Sequence, residues 1–282
     1  SVIGFCLGVT ASDINDDGWI DIYVANDFYE RDYLYINNRD GTFKESLTKM
    51  IGKTSLASMG ADIADINNDG MLDIFTTDML PFNDERLKRT TTFESFDLYR
   101  QKLDNDLYHQ NMRNMLQLNQ GNGTLIDIGQ LSGVDASDWS WGALMVDFNN
   151  DSWKEIFVAN GVYKDVTDQD FIDFIASSEN LQAARSGKPT DFKEFISKIP
   201  SEKIENHLYV RDSLFSYTNL SDKWGLAEKS FSNGAAYGDL DNDGDLDLVV
   251  NNLNHASFIY ENNSSSNRSL SINFSGLEKN PF

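Results

Sequence analysis

Four copies of one acidic stretch set the period of this chain. Asp13–Asp21 reads Asp-Ile-Asn-Asp-Asp-Gly-Trp-Ile-Asp, and the arrangement returns at Asp65–Asp73, Asp147–Glu155 and Asp239–Asp247. A loop that recurs at the same place in successive units marks a repeat architecture. The copies start 52, 82 and 92 residues apart. With a unit of about 50 residues, as in four-stranded propeller repeats, the second and third units carry extra segments of about 30 and about 40 residues.

The residues around each copy have one texture. A Gly opens a short apolar run at Gly8, Gly60, Gly142 and Gly234, and the acidic loop follows. Then comes a β-rich run at Ile22, Ile74, Ile156 and Leu248, and a third at Tyr33, Asn114, His207 and Phe258. Turns such as Arg39-Asp-Gly-Thr-Phe43 and Gly121-Asn-Gly-Thr-Leu125 carry hairpin signals and lead into a fourth strand. Those fourth strands are expected at Thr42–Ser46, Thr124–Ile128, Leu214–Thr218 and Ser269–Phe274.

The predicted fold is therefore all-β: β-propeller blades, four four-stranded antiparallel repeats with two helical insertions. The blades are placed at about 1–58, 59–132, 133–226 and from 227 to 268 onward, and the insertions at about 80–110 and 161–205. Residues 269–282 are either a last strand or the start of another domain. Within the insertions, Asn83–Asp106 lacks strand alternation and is rich in helix formers. Asp168–Arg185 places Phe171, Ile172, Phe174 and Ile175 at helical spacing behind a capping Asp168 or Asp170. Asp191 and Glu194 have the spacing of a capping box. Both insertions fall between the second and third strands of their units, so they are expected side by side on one face of the disc.

The loops point to calcium. That ion prefers six to eight oxygen ligands in a flexible cage. Side chains at positions 1, 3, 5 and 9 can converge, position 7 offers a carbonyl, and Gly at position 6 permits the sharp turn. The ligand sets expected are Asp13, Asn15, Asp17, Trp19 and Asp21; Asp65, Asn67, Asp69, Met71 and Asp73; and Asp239, Asp241, Asp243, Asp245 and Asp247. The third set, Asp147, Asn149, Asp151, Trp153 and Glu155, is degenerate because Ser152 replaces Gly and Glu replaces the last Asp. An EF-hand needs a bidentate Glu at position 12 between helices. Position 12 here is Val24, Thr76, Val158 or Val250, within strands, which rules that motif out.

A formal net charge of −22 argues against nucleic acid as a partner. Cys6 is the only cysteine, so it forms no internal disulfide and is expected to be a small core residue. The chain contains no apolar run long enough to span a membrane. It opens inside a strand-like run, Ile3–Thr10, which suggests a piece of a longer chain. Trp139 and Trp141 are expected to pack within or between blades, with stacking on a sugar as the other reading. His207 and His255 each follow Asn at or near a third strand, which suggests packing roles linked to the repeat.

The repeated Gly-x4-Asp-x-Asn-x-Asp-Gly-x-x-Asp-Ile pattern, with Tyr33-Leu-Tyr-Ile-Asn-Asn-x-x-Gly-Thr-Phe43 in the first unit, resembles FG-GAP/VCBS repeats. Those are blades of integrin-α-like propellers, usually seven in number, with calcium in the loops between strands 1 and 2. Asn26–Tyr35, Asp78-Met-Leu-Pro81 and Asp138-Trp-Ser-Trp-Gly-Ala-Leu144 look more narrowly like the cartilage acidic protein/UnbV-related group. Residues 269–282 are similar to the start of its ASPIC/UnbV domain. The resemblance implies further blades and a C-terminal domain in the full-length chain, and an extracellular, cell-surface or periplasmic location.

The expected function is a non-catalytic, calcium-stiffened scaffold that binds protein or glycan in adhesion. A second reading is an envelope enzyme acting on glycans, its pocket roofed by the insertions and supplied with Asp165, Asp168 and Asp170. A third is a structural spacer presenting a downstream domain.

Overall fold

The computed structural model describes residues 4–91, 94–178, 192–264 and 272. The chain forms successive antiparallel sheets in propeller arrangement, each built in sequence order. The first blade is β1 (Phe5–Ser12), β2 (Asp21–Asp27), β3 (Tyr33–Asn37) and β4 (Phe43–Glu45). A short linking strand, β5 (Thr54–Ser55), follows. The second blade begins with β6 (Ala61–Ala64) and β7 (Asp73–Thr76). It then leaves the sheet through β8 (Gln110–Asn111) before closing with β9 (Met115–Asn119) and β10 (Leu125–Asp127). The third is β11 (Ser140–Val146), β12 (Glu155–Asn160), β13 (His207–Ser213) and β14 (Ser216–Asn219). The fourth shows β15 (Ser232–Gly238), β16 (Asp247–Asn252) and β17 (Phe258–Tyr260). Its expected last strand, Ser269–Phe274, and any domain start at 269–282 lie outside the described residues, Ile272 apart.

Alternation in the strands buries one sheet face against each neighbouring blade. Tyr23, Ala25 and Leu34 of the first blade meet Ile74 and Leu125 of the second. Phe75 and Leu116 meet Met145, Ile156 and Val158 of the third. Phe157, Ala159 and Leu208 meet Leu248 and Val250 of the fourth. Strands β9 and β12 are buried along their whole length, and the apolar run Ile156–Ala159 of β12 feeds the cores on both sides of its sheet. On β1, Thr10 Oγ1 donates to the Ala61 carbonyl of the second blade, while Val9 on the opposite face is 62% exposed. Cys6, expected in the core, is exposed as well. It stands at the bulge between Cys6 and Gly8.

The recurrent Gly has a physical cause. First strands of neighbouring blades touch where it stands. A Cβ on Gly8 would lie 3.0 Å from the Met59 carbonyl oxygen, and one on Gly142 would lie 3.7 Å from Gly234 Cα. At Gly60 a Cβ would overlap the Trp141 carbonyl oxygen. Backbone cannot yield as a flexible side chain does, so Gly60→Ala is expected to cost about 3 kcal/mol. Urea unfolding measures this, and a loss under about 0.5 kcal/mol would contradict so tight an approach.

A second recurrent device caps the third strands. The side chain before each accepts an N–H from at or near the end of the second: Asn26 N–H to Asp32 (2.9 Å), Asp78 N–H to Asn114 (2.8 Å) and Asn160 N–H to Asn206 (2.9 Å). Only the first blade uses a carboxylate. Burial pushes Asp32 up to about 7, against hydrogen bonds from Asn26 N–H, Tyr23 and Ser58, while the Asp78 charge adds to the rise. A folded-state pKa above the unfolded value gives stability that is present below about pH 4 and lost as pH rises through 7. Asp32→Asn adopts the residue of the next two blades. It is expected to remove that loss and to gain about 2 kcal/mol at pH 8 but not at pH 4. Chemical denaturation at both pH values tests the difference.

The insertions are helical where described: α1 (Asp84–Thr90), α2 (Phe96–Asp104), α3 (Gln169–Ala176) and α4 (Phe192–Lys198). Asn83 caps α1 and Ser95 caps α2, while Asp168 accepts the Phe171 N–H as the cap of α3. The rest of the 168–185 stretch and the Asp191/Glu194 capping box lie outside the described residues or side chains. Both insertions join second to third strands, and ion pairs between them place them side by side.

Candidate metal loops and the insertion face

The four acidic loops share one hydrogen-bond scheme. The position-1 carboxylate accepts two successive N–H groups. Asp13 takes Asp17 and Gly18 (2.9 and 2.7 Å), and Asp65 takes Asp69 and Gly70 (3.2 and 2.9 Å). Asp147 takes Asp151 and Ser152 (3.1 and 2.8 Å), and Asp239 takes Asp243 and Gly244 (3.1 and 3.2 Å). The position-5 carboxylates Asp17, Asp69, Asp151 and Asp243 accept the N–H of Trp19, Met71, Trp153 and Asp245. Position 6 is left-handed throughout: Gly18 φ 84°, Gly70 86°, Gly244 95°, and Ser152 73°. Ser152 thus holds the third loop in the shape of the others despite its Cβ.

At position 9 the carboxylate is a buried double clamp. Asp21 accepts Ile14 and Asn37 N–H (3.1 and 2.8 Å), Asp73 accepts Ile66 and Asn119 (2.9 and 2.8 Å), and Asp247 accepts Leu240 and Asn262 (both 2.8 Å). Each ties its loop to the end of a third strand. Glu155 breaks the pattern. It takes Phe148 N–H at 2.8 Å but turns its other oxygen to Asn149 Nδ2 at 3.1 Å. Arg211 occupies the strand position that Asn holds elsewhere, and its guanidinium lies 3.4 Å over the Trp153 ring.

Asn15 and Asn67 donate to Asp17 and Asp69 at 3.2 and 2.9 Å. In the fourth loop position 3 is Asp241, and oxygens of Asp239, Asp241 and Asp243 lie within 4.8 Å of one another. Among the described residues this is the one such trio of His, Cys, Asp or Glu. Burial pushes Asp73 up to about 6, and the charges of Asp69 and Asp65 add to it. Burial likewise takes Glu155 to about 8, with Asp151 and Asp147 contributing. Asp21 shifts the same way for the same reasons. The loops therefore hold negative charge that a cation would relieve, on oxygen donors of the type calcium takes.

Neighbouring loops also bond to each other. Asn119 Nδ2 donates to the Ile14 carbonyl (3.0 Å) and Asn262 Nδ2 to the Phe148 carbonyl (2.6 Å). Asn68 donates to the Ser152 carbonyl (2.8 Å), Asn150 to that of Gly244 (3.3 Å) and Lys154 to that of Asp65 (2.9 Å). The loops form a continuous band.

The insertion face has different chemistry. Arg86 is buried, and its Nε and Nη2 lie 2.6 and 2.8 Å from the two oxygens of Asp138. It also reaches Asp165 and Glu202, each at 3.2 Å. Burial opposes the charge of Arg86, but its carboxylate partners hold it protonated. Arg89 pairs with Asp168 at 2.9 Å and with Glu202. Asp165 also accepts Thr167 N–H, and Asp168 caps α3, so both carboxylates are engaged in structure; Asp170 is exposed. A cleft of about 300 Å³ beside them is lined by Phe82, Arg86, Glu202 and His207. His207 is buried against Phe82 and Tyr209, which pushes it down to about 4; His255 is exposed against Phe258. Trp139 and Trp141 are half-buried and stacked, and Trp141 Nε1 donates to the Gly161 carbonyl at 2.6 Å. This supports packing rather than display.

A family model described as FG-GAP-like repeat matches residues 13–76, from the first acidic loop through the end of β7. No curated protein matches the chain. No helix among the described residues is long and apolar enough to cross a membrane.

Proposed function

We propose that the chain is a non-catalytic, calcium-clipped propeller scaffold of FG-GAP type that binds a protein or glycan outside the cytoplasm. One observation carries this reading: four loops share one hydrogen-bond scheme at positions 1 and 5 and bury a carboxylate at position 9, which at Asp21, Asp73 and Glu155 sits under the charge of its neighbours. Positions 1, 3, 5 and 9 would hold the ion together with the carbonyls of Trp19, Met71, Trp153 and Asp245. The ion would supply charge neutralisation and a rigid link between the first two strands of a blade. Loop N–H groups already occupy part of the carboxylate capacity, which favours the weak affinities of extracellular modules, about 10⁻⁴–10⁻³ M. A non-catalytic role is favoured because Asp165 and Asp168 are engaged by Arg86 and Arg89.

Calorimetric titration of chelated protein with calcium tests the reading. Three or more sites are expected, and Asp243→Asn should remove one. No heat at millimolar calcium would overturn it.

A further inference from the structure

Away from the acidic band, a cleft of about 710 Å³ lies between the first insertion and the β5–β8 ribbon. Its charge is opposite in sign to that of the chain. Asp127 is paired with both Arg113 (2.6 Å) and Lys53 (3.1 Å), and Glu94 is matched by Lys102 (2.5 Å). Two cations on one carboxylate leave one positive charge in the wall. Buried polar groups there also lack partners. Gln110 is 3% exposed, and neither end of its amide makes a hydrogen bond; Arg113 is 7% exposed, and its Nη1 makes none. Each such group carries a desolvation cost that a native fold normally avoids. Across the cleft, Tyr99 of α2 is fixed by its hydroxyl on His109 Nδ1 at 2.8 Å, and Phe96 is 72% exposed.

We propose that this cleft binds a carboxylate-bearing sugar, with the acid on Arg113 and Lys53, a hydroxyl pair on the Gln110 amide, and a ring face on Tyr99 or Phe96. An amide can donate and accept at once, which suits vicinal hydroxyls. Aromatic rings in the opposite wall favour a sugar over a merely acidic peptide. The proposal deepens the scaffold reading by naming a site. It does not depend on calcium, because no acidic-loop residue lines the cleft.

The test is ligand-observed NMR and calorimetry on the calcium-saturated chain, with cellobiouronate, cellobiose and tri-aspartate as probes. Cellobiouronate is expected to bind at least about tenfold tighter than cellobiose. Gln110→Leu should weaken it about tenfold or more without lowering the melting temperature, since an unpaired amide is removed. Tyr99→Ala should weaken both sugars. Calcium titrations of the same variants should be unchanged, which separates failure here from failure of the scaffold reading. The proposal is overturned if neither sugar binds at about 10 mM, if both bind equally, if tri-aspartate binds tighter than cellobiouronate, or if Gln110→Leu binds as the parent does.

Discussion

Calcium added to the chelated protein is expected to raise its melting temperature by about 15 °C. A site at a hundredfold excess over its Kd contributes about 2.7 kcal/mol, so three sites contribute about 8 kcal/mol. At about 2 °C per kcal/mol for a chain of this size, that is a large shift. Its pH dependence has a definite sign. Asp73 and Glu155 titrate at about 6 and about 8 in the folded chain, above the ordinary values of 3.8 and 4.5. Without calcium, their contribution is present below about pH 4 and is lost as pH rises through 6 and then 8. Calcium favours the ionised carboxylates, so its effect should be larger at pH 8 than at pH 5. Scanning calorimetry with and without chelator measures both quantities. Equal melting curves in the two conditions would refute the calcium clips.

Arg86→Ala should be the most damaging single substitution on the insertion face. It strands Asp138 and Asp165, which are 4% and 3% exposed, without a counter-charge. Removing one partner of a buried pair costs about 3–5 kcal/mol. Arg86→Lys should recover little, because one ammonium cannot replace a fork that meets both oxygens of Asp138. Because Arg86 bridges the first insertion to the second, limited proteolysis should cut α1 or α3 early while blade strands stay protected. Urea unfolding supplies the magnitude. A loss below about 1 kcal/mol would show that the carboxylates find other partners.

Much of the fold was legible in the sequence because its causes are local. The acidic loops, the Asp-Gly turn before Phe43 and the alternation in β2 each lie within a few residues. Three of the four expected fourth strands form at the expected places: β4, β10 and β14. The recurrent Gly was visible as a pattern, but its cause, the overlap of Gly60 with Trp141, joins residues 81 positions apart. The β5–β8 ribbon escaped notice because each strand is two residues long. Asp32, Asn114 and Asn206 share a role that could have been found by aligning the third strands. The Arg86 cluster offered no such signal. It gathers one cation from the first insertion and acids from near β11 and the second.

The band of bonded loops gives the rim a property that no single blade has. Asn119 holds the shape of the loop before its own, and Asn68 reaches toward the loop after. An event at one loop should then be felt first by its immediate neighbours and fade with each step, as in a row of coupled spins. Ion occupancy along such a row would be cooperative between adjacent sites and nearly independent between distant ones. Arg211, standing where its counterparts are Asn, would make the third loop the weak junction in that row.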